Sequence, residues 1–131
     1  MKTYSCLNCN KEHLFKGHSY ANKYCDNKCQ QEFQFNDYIK NWKQGLVDGR
    51  KGLLQTSGYI HRYVFAKQEG KCAICGIDNW FGQSITLELD HINGNGIDNK
   101  EENLRCLCPN CHSQTSTYRS KNNGNGRKQR K

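Results

Sequence analysis

The sequence is poor in aliphatic residues. Leu, Ile, Val and Phe number 9, 7, 2 and 5, or 23 of 131 residues, about 18%. This lies below the rough 20% under which a charged chain tends to stay disordered, and the mean hydropathy of -1.01 agrees. No apolar run approaches the roughly 18 residues that a membrane span requires, and none resembles the apolar core of a secretory leader. A large apolar core, a membrane helix and the apolar stretch of a secretory leader are therefore excluded. If the chain folds, something besides hydrophobic burial must help hold it, as is usual in small domains. At 131 residues there is room for one compact domain or two very small ones.

Cysteine is what the chain has in excess. Of its nine cysteines, eight fall into close pairs: Cys6 and Cys9, Cys25 and Cys29, Cys72 and Cys75, Cys108 and Cys111. With no leader, the expected compartment is reducing, so metal ligation is favoured over disulfides. A C-x-x-C knuckle presents two sulfurs, and two knuckles supply four thiolates for a tetrahedral ion. The sequence thus predicts two structural zinc sites, Cys6/Cys9/Cys25/Cys29 and Cys72/Cys75/Cys108/Cys111. Four thiolates suffice at the first without His13 or His18. A redox role is disfavoured by the coupling of the pairs and by the lack of a βαβ pattern. Cys106 is left over and is expected in the core as a small hydrophobe.

Charge is unbalanced. Twenty Lys and Arg face twelve Asp and Glu, a formal +8. Eight thiolates and two divalent ions would change this by -4, to about +4, so placement of the basic residues matters more than their total. From residue 118 onward the chain has no acid and carries Arg119, Lys121, Arg127, Lys128, Arg130 and Lys131. Such a tail reads as a flexible basic arm for nucleic acid, since uncompensated cations release counterions from phosphate. Lys11, Lys16, Lys23 and Lys28 around the first knuckles could likewise touch DNA.

Read in order, residues 1–29 form a loop-rich four-cysteine module. Residues 30–44 lack Gly and Pro, and Phe35, Tyr38, Ile39 and Trp42 follow the spacing of an amphipathic helix. Residues 46–58 are rich in Gly and polar groups, carry Arg50 and Lys51, and read as a linker or a loop close to a partner. Thr56 or Ser57 could cap a helix over residues 58–68, with Ile60 and Val64 on its buried face. Alternation at Ile85, Leu87 and Leu89 predicts a strand over residues 84–92. An Asn-Gly-Asn-Gly turn follows, then a second strand over residues 104–108, and a closing helix opened by Pro109.

This order gathers Asp90, His91, Asn103 and His112. Phosphodiester hydrolysis needs a base to activate water and a metal ion to neutralise charge on the phosphate. Histidine can be that base near neutral pH if its other ring nitrogen is fixed, for which an Asn carbonyl accepting from Nδ1–H would serve. An Asp and a His from different elements can hold the ion and leave positions open.

Residues 87–112 read LELDHINGNGIDNKEENLRCLCPNCH. With the flanking knuckles, this stretch resembles the zinc-containing branch of the HNH endonuclease family, over about residues 58–117, and looks most like its small phage and bacterial members. The resemblance implies a ββα-metal nuclease core at 58–117; with the segments read above, this makes a small α+β, zinc-stabilised protein with a zinc module at 1–29, a helix and linker at 30–57, and a tail at 118–131. It implies a metal-dependent DNA endonuclease of nicking or homing type. Asp90 and His112 would hold a catalytic divalent ion, His91 would be the general base, and Asn103 would orient His91, with Asn99 as the alternative. The Asp at the first position favours Mg²⁺ or Mn²⁺, while His112 would also suit Ni²⁺ or Zn²⁺. Arg105 or the tail would hold the DNA backbone. Double-stranded DNA is the expected partner, with no membrane, in a monomer or homodimer in the cytoplasm, that of the host if phage-encoded. The rival is a non-catalytic zinc-stabilised DNA-binding module. A protein-interaction adaptor would have no use for the basic tail.

Overall fold

In the computed structural model, residues 1–17 and 21–118 are described. The basic tail residues Arg119, Lys121, Arg127, Lys128, Arg130 and Lys131, and His18, lie outside them. The protein is a small mixed α/β chain in two compact units, one spanning Met1–Asn41 and one running from Trp42 onward.

The first unit opens with an antiparallel hairpin, β1 (Thr3–Ser5) and β2 (Glu12–Leu14), with Tyr4 opposite His13. The knuckle Cys6–Cys9 forms its tip, closed by Asn10 N donating to Cys6 O at 2.9 Å. Helix α1 (Asn27–Lys43) follows, its last residues Trp42 and Lys43 counting with the second unit. Asp26 Oδ1 accepts from Cys29 N at 2.8 Å, which satisfies one of the donors a helix start leaves open and fixes Cys29 in the first turn. Of the apolar face read from the sequence, Ile39 and Trp42 are buried, while Phe33, Phe35 and Tyr38 are half-buried.

Among its described residues the second unit contains three antiparallel strand pairs and two α-helices. Residues 46–58, read from the sequence as a linker or loop, hold the hairpin β3 (Arg50–Lys51) and β4 (Gln55–Thr56), with Arg50 opposite Thr56. Two-residue strands are too short to show alternation, which is why the segment looked irregular. Gly49 roots it: φ is +83°, and a Cβ there would lie 2.5 Å from Ile60 Cδ1 and 2.9 Å from Asn99 Cβ. Helix α2 (Gly58–Lys67) starts at Ser57, whose hydroxyl accepts from Tyr59 N. Hairpin β5 (Asn79–Trp80) and β6 (Gln83–Ser84) precedes β7 (Glu88–His91). Strand β7 is shorter than residues 84–92: Ser84 belongs to the earlier hairpin, and residues 85–87 form an irregular link whose Ile85 N donates to Asp78 O. It pairs antiparallel with β8 (Leu104–Leu107), Asp90 opposite Arg105. Helix α3 (Pro109–Ser113) closes the segment and packs on both strands.

Ile60 and Val64 of α2 meet a core that includes Leu87, Leu104, Cys106 and Leu107. Cys106 is fully buried, as expected, and burial pushes its thiol up to about 11. Gln68 stands in for a further strand beside it: Oε1 accepts from Cys106 N at 2.8 Å and Nε2 donates to Cys106 O at 2.9 Å. Among the described residues no helix is long and apolar enough to cross a membrane.

Candidate active site and metal clusters

The cysteine pairs assemble as their spacing predicts. Cys6, Cys9, Cys25 and Cys29 bring their sulfurs within 4.8 Å of one another, and so do Cys72, Cys75, Cys108 and Cys111. The separations of 3.9 Å for Cys9–Cys25, 3.4 Å for Cys25–Cys29 and 3.7 Å for Cys75–Cys108 bracket the ~3.8 Å edge of a tetrahedron with Zn–S of about 2.3 Å. Backbone donors point at the sulfurs: Cys25 N lies 3.4 Å from Cys6 Sγ and Cys111 N lies 3.4 Å from Cys108 Sγ. Burial opposes ionisation of Cys6 and Cys72, but backbone N–H groups overcome it and lower each to about 6. Cys25, donating to Cys29, and Cys111, through burial, are instead pushed up to about 12. Four crowded thiols without a cation keep some protons, and a bound cation would displace them. The two clusters could hold structural metal ions.

Beside the second cluster, β7 carries a polar set. Asp90 is buried, 4% exposed. Its Oδ2 accepts from Arg105 Nε at 2.8 Å, across the β7–β8 pair. Its Oδ1 lies 3.6 Å from His112 Nε2 on α3. His112 Nδ1 lies 2.7 Å from Glu88 Oε1. With Nδ1–H donated to Glu88, Nε2 turns its lone pair toward Asp90 Oδ1. In the neutral ring two acceptors then face each other, an arrangement that a bridging cation satisfies. The donor pair fits a divalent ion, with Glu88 fixing the ring behind it.

His91 engages a different set. Its Nε2 is 2.7 Å from Asn99 Oδ1, and Thr56 Oγ1 donates to the same oxygen at 3.1 Å. Where Nε2 carries the proton, Nδ1 is the acceptor. The ring nitrogen that meets an Asn side chain is thus Nε2, where the sequence reading had Nδ1. The side chain that reaches the ring is that of Asn99, the alternative, and not that of Asn103. Asn103 instead ties the loop after β7: Nδ2 donates to Asn93 Oδ1 at 3.0 Å and to Asp98 O at 2.8 Å, and Oδ1 accepts from Asn93 N at 3.0 Å. Asn99 is itself buried and anchored, its backbone carbonyl accepting from Trp42 Nε1 at 2.8 Å. Its Nδ2 has no partner among the described residues.

Asp90, His91 and His112 are thus brought to one end of the β7–β8 pair, Asp90 toward α3 and His91 toward β4. Over 54 residues the chain is 48% identical to the H-N-H endonuclease F-TflIV of Escherichia phage T5. The chain resembles an HNH endonuclease. The match takes in 41% of this chain and 24% of the phage protein, so the chain spans about a quarter of the curated relative's length. No family model and no solved structure matches the chain.

Glu88 and Thr56 are the residues that sequence reasoning missed. Glu88 was legible in principle, since it lies two residues before Asp90 on an alternating strand and so shares its face. Thr56 carried no signal, because its hairpin comes from 35 residues before His91. Arg105, expected on the DNA backbone, is engaged by Asp90 through Nε.

Proposed function

We propose that the protein is a metal-dependent HNH-type endonuclease hydrolysing phosphodiester bonds in DNA, double-stranded for preference, as a nicking or homing-type enzyme. What carries the reading is the carboxylate of Asp90, on the strand that also presents His91, lying 3.6 Å from Nε2 of His112 on α3. On this reading β7, β8 and α3 are the strands and helix of a ββα-metal core. Residues 58–117 are then the nuclease region, and residues 1–29 a zinc module.

Asp90 and His112 would hold the catalytic ion, with Mg²⁺ or Mn²⁺ favoured by the carboxylate and Ni²⁺ or Zn²⁺ admitted by the imidazole. Such an ion, when bound, neutralises charge on the phosphate and on the leaving oxygen. Glu88 holds the His112 ring and keeps Nε2 free of its proton. His91 takes a proton from the attacking water at Nδ1, while Asn99 retains the Nε2 proton and fixes the ring. Asn103 sets the loop that positions Asn99. Arg105 pairs with the Asp90 carboxylate through Nε, and its remaining N–H groups would face a phosphate. Arg119, Lys121, Arg127, Lys128, Arg130 and Lys131 supply sequence-independent attraction to the backbone. One site cuts one strand, so a monomer nicks and a homodimer breaks both. The protein acts in the cytoplasm, the host's if it is phage-encoded.

The test uses zinc-loaded protein on supercoiled plasmid, with Mg²⁺ or Mn²⁺ added or left out. Nicking is expected only with the added ion, and His91→Ala should lower it by about 100-fold or more. Unimpaired cutting by His91→Ala overturns the assignment of the base. Salt-sensitive binding without cutting by either protein overturns the enzyme in favour of a zinc-stabilised DNA-binding module.

A further inference from the structure

Hairpin β5–β6 serves neither the candidate active site nor the cysteine clusters. Its strands pair Asn79 with Ser84 and Trp80 with Gln83, which leaves a two-residue turn, Phe81–Gly82. Both turn residues have positive φ, +50° at Phe81 and +80° at Gly82. A turn with both central residues in that region is the type for which Asn-Gly is the preferred pair, because Asn tolerates the left-handed conformation and bulky side chains do not. Here Phe takes the Asn position. Burial does not compensate: Phe81 is 89% exposed, and Trp80 beside it is 56% exposed. The two rings meet edge to face, centroids 5.0 Å apart, as one aromatic tip. A Cβ on Gly82 would meet nothing within 4 Å, so the turn stands in open space.

The hairpin is firmly mounted. Ile85 N donates to Asp78 O at 3.1 Å and closes its base. The knuckle just before it is tied by Cys72 N to Ile77 O at 3.0 Å and by Ala73 N to Cys106 O at 3.1 Å. Residues 79–87 carry no charge of either sign, so the tip suits the uncharged faces of bases rather than phosphates. The chain around it is cationic, formally +8 and about +4 with both cysteine clusters loaded, and draws polyanions. Nine residues separate Phe81 from Asp90, so the two lie at most about 32 Å apart, within one turn (about 34 Å) of duplex DNA.

We propose that the Trp80–Phe81 tip is a nucleic-acid contact, its rings stacking on or wedging between bases of the substrate bound at Asp90. The proposal rests on the nuclease reading for its class of partner. An exposed aromatic at a base step gains stacking whatever the sequence, and a wedge opens the step. The unfavourable turn residue is then retained for binding and not for folding.

Phe81→Asn separates those two roles, because Asn suits the turn and lacks the ring. It is made in a His91→Ala background, so that substrate is not consumed. Binding is followed by fluorescence anisotropy with labelled DNA duplexes, and base unstacking with 2-aminopurine placed at successive positions. Phe81→Asn should melt at or above the temperature of its parent, yet bind about 5- to 100-fold more weakly. The parent should raise 2-aminopurine emission at one or two positions, and Phe81→Asn should not. Trp80→Ala should weaken binding in the same direction. Equal affinity of parent and Phe81→Asn overturns the proposal and leaves the nuclease reading standing. A parent that binds no nucleic acid overturns both. A parent that sediments as a dimer and becomes monomeric in Phe81→Asn makes the tip a self-association surface, which also overturns it.

Discussion

Glu88 touches no candidate metal donor atom except through a ring. It receives the Nδ1 proton of His112, and that proton decides which nitrogen of His112 is available to a cation. Replacing Glu88 with Gln keeps the size and removes the charge. The expected result is a 10- to 100-fold loss of affinity for the divalent ion, read as a rightward shift of the Mn²⁺ dependence of cutting, with the melting temperature little changed because the pair is partly exposed. A shift of less than threefold would leave Glu88 as a bystander. At this scale the sequence was informative about residue types and less so about pairings. Asp90, His91 and His112 could be read from a contiguous motif. That Asn99 and not Asn103 reaches His91 could not, because the choice depends on how the loop from β7 to β8 coils. Four of its side chains, Asn93, Asn95, Asp98 and Asn103, settle that coil by bonding within the loop.

Among the elements, hairpin β3–β4 is the most sensitive to a small change. Gly49 lies against Ile60 and Asn99 and has positive φ, so Gly49→Ala meets both a steric and a backbone penalty. A loss of about 1–3 kcal/mol is expected from urea unfolding. Because Asn99 is one of the displaced groups, cutting should fall more than the unfolded fraction explains. Another element joint is electrostatic. Lys67 Nζ at the end of α2 donates to Glu101 Oε2 at 2.8 Å, and Tyr63 donates to the same oxygen at 3.0 Å. The Lys67 ammonium holds the Glu101 carboxyl below the ordinary carboxylate value, and Glu101 raises Lys67 in turn. A depressed carboxylate adds stability above its unfolded pKa, and this is lost as pH falls through the folded value. A raised lysine adds stability below its unfolded pKa, lost as pH rises past the folded one. Glu101→Gln should therefore flatten the acid limb of a stability–pH curve. Lys67 is more than half exposed, so the effect is under about 1 kcal/mol. Long elements were legible here and short ones were not. Helices α1 and α2 lie within a few residues of the spans their apolar spacing indicated. Hairpins β3–β4 and β5–β6 have two-residue strands whose pairing is fixed by turns and neighbours, not by any periodicity of their own.

For the whole molecule, cohesion falls to sulfur as much as to carbon. The fully buried side chains include only two aliphatic or aromatic ones of note among the largest described, Ile60 and Leu107, beside Cys6 and Cys106. Purified protein should carry two zinc ions per chain, measured by elemental analysis with protein quantified independently. Cys108→Ser should lower the count toward one and cost several kcal/mol in the second unit, since structural zinc contributes folding energy directly. Retention of both ions by Cys108→Ser would contradict the ligand set. This much followed from cysteine spacing alone, because four-thiolate ligation constrains sequence more tightly than packing does.

The second cluster joins Cys72 and Cys75 to Cys108 and Cys111, and the chain between them contains β5 to β8 with Glu88, Asp90, His91 and Arg105. An ion bound there would clasp that loop, apart from the chemistry proposed inside it. Chelation would then silence cutting by two routes that plasmid gels cannot tell apart, one by emptying the Asp90–His112 position and one by releasing the clasp. The routes differ in reversibility: magnesium alone restores the first at once, whereas the second also needs zinc and the time to refold.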